Sequence, residues 1–412
     1  MNNSYALPAD MAIEMTKKYG SPLYVFDEDK FRDNYIQLFK CIKDKYQKYN
    51  IAYSYKTNYA PYICKIVKEL GGYSEVVSGM EYKLARKIGY DYKNIIFNGP
   101  VKGDELYEHL DNGGIANIDN LDELKLVVKH ASLHSEKKYE LAFRVNINIG
   151  QSFVSRFGID DDNGDLETAF KIVSNFNNIE VVGLHCHIGR SRNLEAWQNR
   201  VNKMFDLVDK FFDKTPKFID LGSGMNSVME PFLANQFSDK IPTYKEYADI
   251  IGTSFSIKYG HLPFEQQPEL ITEPGTTLIS GYISFLTTVK SVRTVKKKEI
   301  ITIDGSIGNT GDICDYKQLP MSVIKLGNNK NVKNANIVGY TCLEADVLYR
   351  DFSGNISVGD IIEFRNVGSY SNVFKPPFIY PNCAMISKSN NYGTKIIKRK
   401  ETMDDVFTTY IF

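Results

Sequence analysis

Residues 51–60 of the chain read IAYSYKTNYA, and this stretch decides the fold because its residues alternate in size. One set of alternate positions is bulky and mostly aromatic, whereas the other is small and ends in Lys56. A period of two is typical of a β-strand with two different faces. A lysine at the end of the small face is either solvated at an edge or held at the mouth of an enclosed space.

Short strand-like runs recur up to about residue 273, and segments with helical periodicity, such as SGMEYKLARKIG (78–89), separate them. Eight strands alternating with helices predict an α/β fold, a (β/α)8 TIM barrel, and an open doubly wound sheet is the other layout for this pattern. The eight candidates are IAYSYK (51–56), YSEVV (73–77), NIIFN (94–98), GIANI (114–118), LAFRVNIN (141–148), VVGLHCHI (181–188), KFIDL (217–221) and ELITE (269–273).

The pattern changes after Glu273 to β-type runs separated by Gly, Asn and Pro turns, with little helical periodicity. We therefore expect a barrel over residues 28–274 and a C-terminal all-β domain over residues 275–412. The opening residues 1–27 are expected to join the β domain through the strand-like run SPLYVF (21–26).

The overall composition is that of an ordinary globular protein. Lys plus Arg and Asp plus Glu each number 50, so there is no basic field to attract nucleic acid. The N-terminus lacks a secretory pattern, and the longest mostly apolar stretch, TTLISGYISFLTTV (276–289), is too short to span a bilayer. The six cysteines are scattered without a CxxC pair, which favours a reducing compartment. We expect a cytoplasmic protein with a small-molecule partner, and neither a nucleic-acid nor a membrane partner.

Ionisable residues lie on the less apolar face of the later strands. Arg144, His187 and Glu273 all take this face near the ends of their runs. Active sites of such barrels are built at the C-terminal ends of the strands. We therefore expect Lys56, Arg144, His187 and Glu273 to converge on one cavity.

A glycine-rich turn follows the seventh strand in the stretch DLGSGMNS (220–227). Gly222, Ser223 and Gly224 come directly after the strand, where glycines let backbone amides approach an anion closely. Such a turn is suited to a phosphate group, although most Gly-Ser-Gly turns are only turns.

A metal site is the rival interpretation of His185 and His187, because a His-x-His pair on a barrel strand binds a divalent ion in some hydrolases. Such a site needs further ligands. Downstream, the sequence offers only His261 and Glu273 as obvious candidates. We therefore expect no metal.

These motifs together resemble the fold type III pyridoxal-phosphate-dependent decarboxylases, the alanine-racemase-like group that includes diaminopimelate, ornithine, arginine and carboxynorspermidine decarboxylases. The resemblance runs nearly end to end. It rests on YGSPLYVFD (19–27), YSYKTN (53–58), GGYSEVVSGMEY (71–82), RVNINIGQSFVSRFGI (144–159), HCHIG (185–189), DLGSGM (220–225), EPG (273–275), CLEAD (342–346) and GSY (368–370).

The resemblance implies a role for each strand-end residue. Lys56 would hold pyridoxal 5'-phosphate covalently, Glu273 would face the ring nitrogen, His187 would stack on the ring, and Arg144 would lie near it. Gly222, Ser223, Gly224 and Tyr370 match phosphate-binding positions. Cys342 matches a cysteine that the neighbouring subunit contributes to return a proton to Cα, so the resemblance implies a homodimer with shared sites.

Two departures from the family pattern concern the phosphate. Gly275 is followed by Thr276, where many relatives have Arg, so phosphate binding would rely more on backbone amides. Relatives usually have Ser after the His-Ile-Gly motif, whereas here Arg190 precedes Ser191, and either residue could contact the phosphate.

Other departures concern the substrate. Leu343 follows the cysteine, as in carboxynorspermidine-type enzymes, but Asp346 keeps the place of an acid that can bind a distal amine in the family. Tyr316 is suitably placed for substrate contact. Lys317 falls where amine-making relatives carry an acid and would suit an anionic substrate group.

The expected function is therefore α-decarboxylation of an amino acid with a distal polar or charged group, either free or carried on a partner. Diaminopimelate decarboxylase is one alternative. A racemase of the same fold is another, although such racemases use a tyrosine base in the second domain. A non-catalytic regulatory homologue is the third, against which the joint retention of Lys56, Glu273 and Cys342 argues.

Overall fold

The computed structural model describes residues 5–150, 153–311, 313, 316–327 and 330–412. The chain divides into two compact units. The barrel unit comprises Asn34–Asn226 and Asp239–Thr277, and the β unit comprises Met1–Asp33, Ser227–Ser238 and Leu278–Phe412. The domain limits expected from the sequence, 28–274 and 275–412 with 1–27, remain a prediction.

The strands and helices are numbered in chain order. The strands are β1 Leu23–Asp27, β2 Tyr49–Ser54, β3 Tyr73–Val76, β4 Ile95–Phe97, β5 Ala116–Ile118, β6 Tyr139–Asn146, β7 Ile159–Asp160, β8 Ile179–His185, β9 Phe218–Asp220, β10 Glu269–Thr272, β11 Ile283–Val295, β12 Lys298–Ile303, β13 Met321–Ile324, β14 Lys330–Val338, β15 Val347–Ile356, β16 Ile361–Phe364, β17 Ala384–Ser389 and β18 Gly393–Lys398. The helices are α1 Ala9–Tyr19, α2 Glu28–Lys43, α3 Pro61–Glu69, α4 Gly79–Ile88, α5 Glu105–Asp111, α6 Leu121–Leu133, α7 Asp165–Val173, α8 Leu194–Phe211, α9 Pro231–Ala234, α10 Tyr244–Tyr259, α11 Thr276–Ile279 and α12 Met403–Phe407.

Eight parallel strands of the described chain close into a barrel in the order β5-β4-β3-β2-β10-β9-β8-β6. The ring is completed by pairing between β5 and β6, for example Asn117 with Ala142. The predicted (β/α)8 barrel is therefore confirmed. The alternative of an open sheet is wrong, because an open sheet would leave two strand edges unpaired.

An apolar layer fills the barrel interior, and every barrel strand or the residue just before it contributes to this layer. Its members are Ala52, Ile96, Ala142, Val182, Phe218 and Ile271, with Tyr73 and Ile115 packed against them. Ala142 and Ile271 lie two residues before Arg144 and Glu273, on the same inward faces. The polar strand ends therefore stand above a packed apolar floor.

A bulge on β8 changes which residues point inward. Strict alternation from His185 would place Val182 on the outer face, but Val182 belongs to the interior layer. The register between β6 and β8 shifts after Leu141, which pairs with Val181, so that the next residue on β6 pairs with Gly183. This extra residue on β8 locally resets the alternation of its side chains.

The β unit contains a mixed sheet in the order β15-β14-β12-β11-β1-β17-β18, with β16 paired to β11 and β13. The C-terminal all-β domain is thus confirmed as a mostly-sheet unit. The strand predicted at SPLYVF is β1, which pairs antiparallel with β11 and parallel with β17. Helix α1 packs Ala12 and Met15 onto the core formed by these strands. Among the described residues, no helix is both long and apolar enough to cross a membrane.

Candidate active site

Lys56 lies just beyond the end of β2, in a 3-10 turn over Tyr55–Thr57, and not within the strand that the sequence predicted. Its Nζ atom donates to Ser54 Oγ at 2.6 Å and pairs with Glu75 Oε2 on β3. The Lys56 side chain is 30% exposed, whereas that of Glu75 is 1% exposed. The amine is therefore held against a buried carboxylate and is still open to the space above the barrel.

Glu273 follows β10 and is the carboxylate on which the hydrogen bonds of the barrel mouth converge. Its Oε2 atom lies 3.2 Å from His185 Nε2 and 3.1 Å from His187 Nδ1, and its Oε1 accepts from Asn98 Nδ2 at 2.5 Å. Burial by itself raises the pKa of Glu273, but the electrostatic interaction with His185 and the hydrogen bonds from both imidazoles outweigh it and hold the pKa well below its ordinary value. Glu273 is therefore ionised at neutral pH.

His187 is the second histidine of the HCHIG motif (185–189), and its ring is largely enclosed. Burial lowers the pKa of His187 to about 4, although its hydrogen bond to Glu273 acts in the opposite direction. A neutral ring has one N–H to donate, and the contact with Glu273 places that proton on Nδ1. His187 therefore presents a neutral ring with a fixed orientation.

Three polar residues of this network were missed by the sequence reasoning. Asn98 donates to both Glu273 and Glu75, the latter at 3.0 Å, and it accepts from Asn117 Nδ2 at 2.7 Å. Glu75 and Asn117 lie one residue before the C-terminal ends of β3 and β5, and Asn98 directly follows β4. These residues could have been identified from the sequence. The rule that identified Glu273, a polar residue near the C-terminal end of a barrel strand, applies to them as well.

Arg144 is held in place by a series of contacts that begins with Asp119, which follows the neighbouring strand β5. Its Nη1 atom lies 3.3 Å from Asp119 Oδ1, and the Asp119 amide donates to Glu123 at 2.7 Å. Glu123 in turn pairs with Lys102, whose side chain is fully buried. Burial lowers the pKa of Lys102 and raises that of Glu123, so each group depends on the other for its charge.

The glycine turn after β9 adopts a backbone that only glycine takes easily, with φ of +60° at Gly222 and +111° at Gly224. A Cβ atom would overlap the carbonyl oxygen of Cys186 at the first position and that of Ile188 at the second. The turn therefore packs directly against the backbone of the His187 segment. Ser223, between the two glycines, is buried.

A cavity of about 690 Å³ opens within the barrel unit above these residues. Lys56, Arg144, His187 and Glu273, the four residues expected to converge, all line it. Arg190 also lines it, whereas the adjacent Ser191 does not count among the described lining residues. The glycine turn, Gly275 and Thr276 are likewise absent from that lining, and Gly275 lies so close to the Thr57 side chain that a Cβ atom would overlap it.

The remaining predicted residues belong to the β unit. Cys342 is an exposed thiol, and the Tyr316 side chain is 77% exposed. Tyr370 has φ of +54°, and its ring centroid lies 5.2 Å from that of Phe374. Lys317 Nζ donates to the carbonyl oxygen of Gln236 at 2.6 Å, so its charge is engaged within its own unit.

Asp346 occupies a structural position inside the CLEAD loop. The carboxylate accepts from the Ile307 amide at 2.7 Å and from the amide and hydroxyl of Thr341 at 3.1 and 2.6 Å. It is 3% exposed. A buried acid with three local donors is suited to holding its loop, and its contact with substrate stays a prediction.

His185, His187 and Glu273 are also close enough to share a metal ion, since their ligand atoms lie within 4.8 Å of one another. In the structure, however, both imidazoles face the same carboxylate oxygen as hydrogen-bond donors. This geometry stabilises an ionised carboxylate without a cation.

Comparison with known proteins gives the class of enzyme that the sequence motifs predicted. The family described as "Pyridoxal-dependent decarboxylase, pyridoxal binding domain" matches residues 32–280. The diaminopimelate decarboxylase of Methanocaldococcus jannaschii is 28% identical over 96% of this chain and 92% of its own, and that of Aquifex aeolicus is 24% identical over 95% and 92%. The M. jannaschii crystal structure in complex with L-lysine aligns with a TM-score of 0.84 at 27% identity, covering 97% of this chain and 94% of that one.

A closed barrel with a lysine and a buried, ionised carboxylate in one cavity defines a pyridoxal-phosphate enzyme of the barrel type. The chain belongs to the pyridoxal-dependent decarboxylases. It is a carboxy-lyase that uses pyridoxal 5'-phosphate to remove CO2 from an amino acid.

The residues present fit this cofactor. An amine that reaches the cavity suits the aldehyde, and an ionised carboxylate with no solvent exposure suits a protonated ring nitrogen. The phosphate seat expected at Gly222–Gly224 remains a prediction, because backbone carbonyls occupy the Cβ positions of both glycines. The aldehyde and the ring nitrogen of the cofactor therefore each have a matching group in the barrel unit.

Replacing Glu273 by Gln is expected to lower kcat by about 100-fold or more, because a neutral amide cannot hold a proton on the ring nitrogen. Steady-state CO2 release, with cofactor occupancy measured in parallel, checks this. Glu269→Gln is the matched control. Glu269 lies at the opposite end of the same strand, where it accepts from the Tyr73 hydroxyl at 3.0 Å. Equal loss in both variants would contradict the role given to Glu273.

Proposed function

We propose that the substrate is an amino acid whose far end carries a carboxylate as well as an amine, and that it is diaminopimelate, which would be converted to lysine. The similar proteins named above carry the name diaminopimelate decarboxylase, and one of their structures contains L-lysine. These names support the proposal, and the lining of the cavity supports it independently.

The observation that carries the proposal is the cationic wall of the cavity. Arg156 and Arg190 both line it. The guanidinium carbon of Arg156 lies 4.1 Å from the centroid of the Phe157 ring, and that of Arg190 lies 5.7 Å from the centroid of Phe153. Arginines that rest on aromatic rings keep their planar donor face available for a carboxylate.

The acids of the cavity are, by contrast, already used. Glu75 pairs with Lys56, and Glu273 accepts from Asn98 and two histidines. A substrate with only a distal amine would therefore meet Arg156 and Arg190 and no available carboxylate among the lining acids. This charge pattern favours a substrate with a distal anionic group over ornithine or lysine.

In the proposed mechanism, bound pyridoxal phosphate supplies an electron sink for the pair of electrons left on Cα when CO2 departs. Lys56 would hold the cofactor and exchange places with the substrate amine, and Glu75 would stay beside it as a counter-charge. Glu273 would keep the ring nitrogen protonated. The neutral ring of His187 would cover the cofactor and exclude water.

Among free amino acids, we expect diaminopimelate to give the highest kcat/KM in a CO2-release panel that includes ornithine, arginine and lysine. Arg156→Gln and Arg190→Gln should each lower kcat/KM for diaminopimelate by about 10-fold, since each removes a charged hydrogen-bond partner. The same changes should raise or leave unchanged kcat/KM for ornithine and lysine, which carry a distal amine without a distal carboxylate.

Arg350→Gln is the control for this panel, because Arg350 is an exposed arginine of the β unit. It should leave the preference unaltered. Best turnover of ornithine or arginine by the wild-type enzyme would rule out the proposed substrate while leaving the decarboxylase chemistry intact.

We also propose that the enzyme is a homodimer in which Cys342 of one subunit serves the site of the other. The Cys342 thiol is exposed, and the adjacent Leu343 is 56% exposed. The β unit exposes further large apolar side chains, among them Phe374, Ile379 and Tyr380. Exposed apolar groups of this kind support an interface between subunits. The free thiols of the described cysteines support a reducing, cytoplasmic location.

Mixed dimers test the shared site. Lys56→Ala and Cys342→Ala subunits, combined in equal amounts, should form about a quarter of the wild-type amount of correctly protonated product, because half of the dimers contain one complete site. Lys56→Ala alone should give none, and Cys342→Ala alone should release CO2 but misplace the proton. Normal product no higher in the mixture than in the Cys342→Ala protein would contradict a shared site.

A further inference from the structure

Arg200, on α8, is a fully buried cation whose role the residues discussed above do not explain. Its side chain has no solvent exposure. Within the described part of the chain, its guanidinium donates to backbone carbonyl oxygens and to no carboxylate, and its Nε has no hydrogen-bond partner. Its guanidinium carbon rests 4.0 Å from the centroid of the Trp197 ring. A buried charge without a counter-charge is unfavourable, and proteins rarely keep one without a use for it.

The contacts of Arg200 lead to two backbone turns. Nη1 donates to the carbonyl oxygens of Leu221 and Ser223 at 3.0 and 2.7 Å, and Nη2 donates to that of Ile188 at 3.0 Å. One turn is the glycine turn after β9, and the other follows β8 and contains His187. One side chain therefore joins two turns at the mouth of the barrel.

The orientation of the peptide groups follows from these hydrogen bonds. In a planar trans peptide the C=O and N–H bonds point in opposite directions. With the carbonyls of Ser223 and Ile188 directed at Arg200, the amides of Gly224 and Gly189 are directed away from it. Gly189 lines the cavity, whereas the glycine turn does not, so Arg200 lies behind one peptide group of the cavity wall.

The guanidinium is also very close to the glycine turn. A Cβ atom on Gly224 would lie 3.6 Å from Arg200 Nη2. A full positive charge and a set of aligned peptide dipoles thus act in the same direction through one layer of backbone. Burial lowers the pKa of Arg200 to about 10, which still leaves it cationic at neutral pH.

We infer that Arg200 is a positioning residue for the cofactor phosphate: from behind the two turns it fixes their amides and supplies the positive charge that the phosphate needs. Thr276 carries no charge, Ser191 and Ser223 offer only hydroxyls, and Arg190 is proposed above to bind the substrate carboxylate. The inference rests on the proposed seat of the phosphate at the glycine turn. It concerns cofactor binding alone and does not depend on which amino acid is decarboxylated.

The test compares pyridoxal phosphate with pyridoxal, which lacks the phosphate. Wild-type enzyme and its variants are freed of cofactor, and the Kd for each compound is measured by absorbance and fluorescence titration. Arg200→Met, which removes the charge but keeps the length, should reduce the preference for pyridoxal phosphate over pyridoxal by about 10- to 100-fold. Arg200→Lys, which keeps the charge, should retain most of that preference. If the Met variant does not fold, Arg200→Gln takes its place.

If Arg200 has only a structural role, Arg200→Met will weaken the binding of pyridoxal phosphate and pyridoxal equally. An unchanged ratio of the two Kd values would overturn the inference. Equal loss of preference in the Lys and Met variants would overturn the role of the charge. Arg365→Met is the control for removal of a buried arginine, since Arg365 pairs with Glu230 and Glu363 in the β unit. Arg365→Met should lower the free energy of unfolding without changing the ratio of the Kd values for pyridoxal phosphate and pyridoxal. A wild-type spectrum that pyridoxal phosphate leaves unchanged would overturn the proposed function, and the inference with it.

Discussion

The carboxylate of Glu273 is the interaction on which the site depends, because it is an ionised group with no access to water. Such a group is tolerated only where donors replace its hydration shell. Asn98, His185 and His187 supply these donors from two other strands. The closed barrel makes this possible, since it brings strand ends that are far apart in the chain to one rim.

The same constraint explains the groups around Glu273. Asp220 lies next to it and is fully buried, and burial together with the charge of Glu273 raises the pKa of Asp220 well above its ordinary value. A proton shared by these two neighbouring acids is therefore held preferentially by Asp220. Glu75 is compensated separately by Lys56. Each carboxylate at the rim of the barrel is thus compensated by its own partners, and the acids do not form one repulsive cluster.

Strand alternation in the sequence was sufficient to predict the barrel and the cavity residues Lys56, Arg144, His187 and Glu273. Alternation failed where the chain departs from regular pleating. The bulge that turns Val182 inward inserts one residue without any local sequence mark, and the turn that holds Lys56 begins one residue after Ser54. Both features depend on pairing with neighbouring strands, which a single sequence does not contain.

Charged residues in loops and helices were harder to assign. Asp346 and Lys317 were expected to contact substrate, yet their hydrogen bonds are made within the β unit. Arg200 was not identified from the sequence, although its guanidinium joins two distant turns. Sequence identifies such groups, but only the fold determines which partner each of them finds.

The central claim is that one lysine at the barrel mouth carries the cofactor. Borohydride reduction of the holoenzyme, followed by mass spectrometry of its peptides, tests this claim most directly. The account predicts a reduced pyridoxyl phosphate group on Lys56 alone and none on Lys102, whose amine is fully buried against Glu123. Labelling of another lysine, or no labelling of protein that retains its cofactor absorbance, would contradict it.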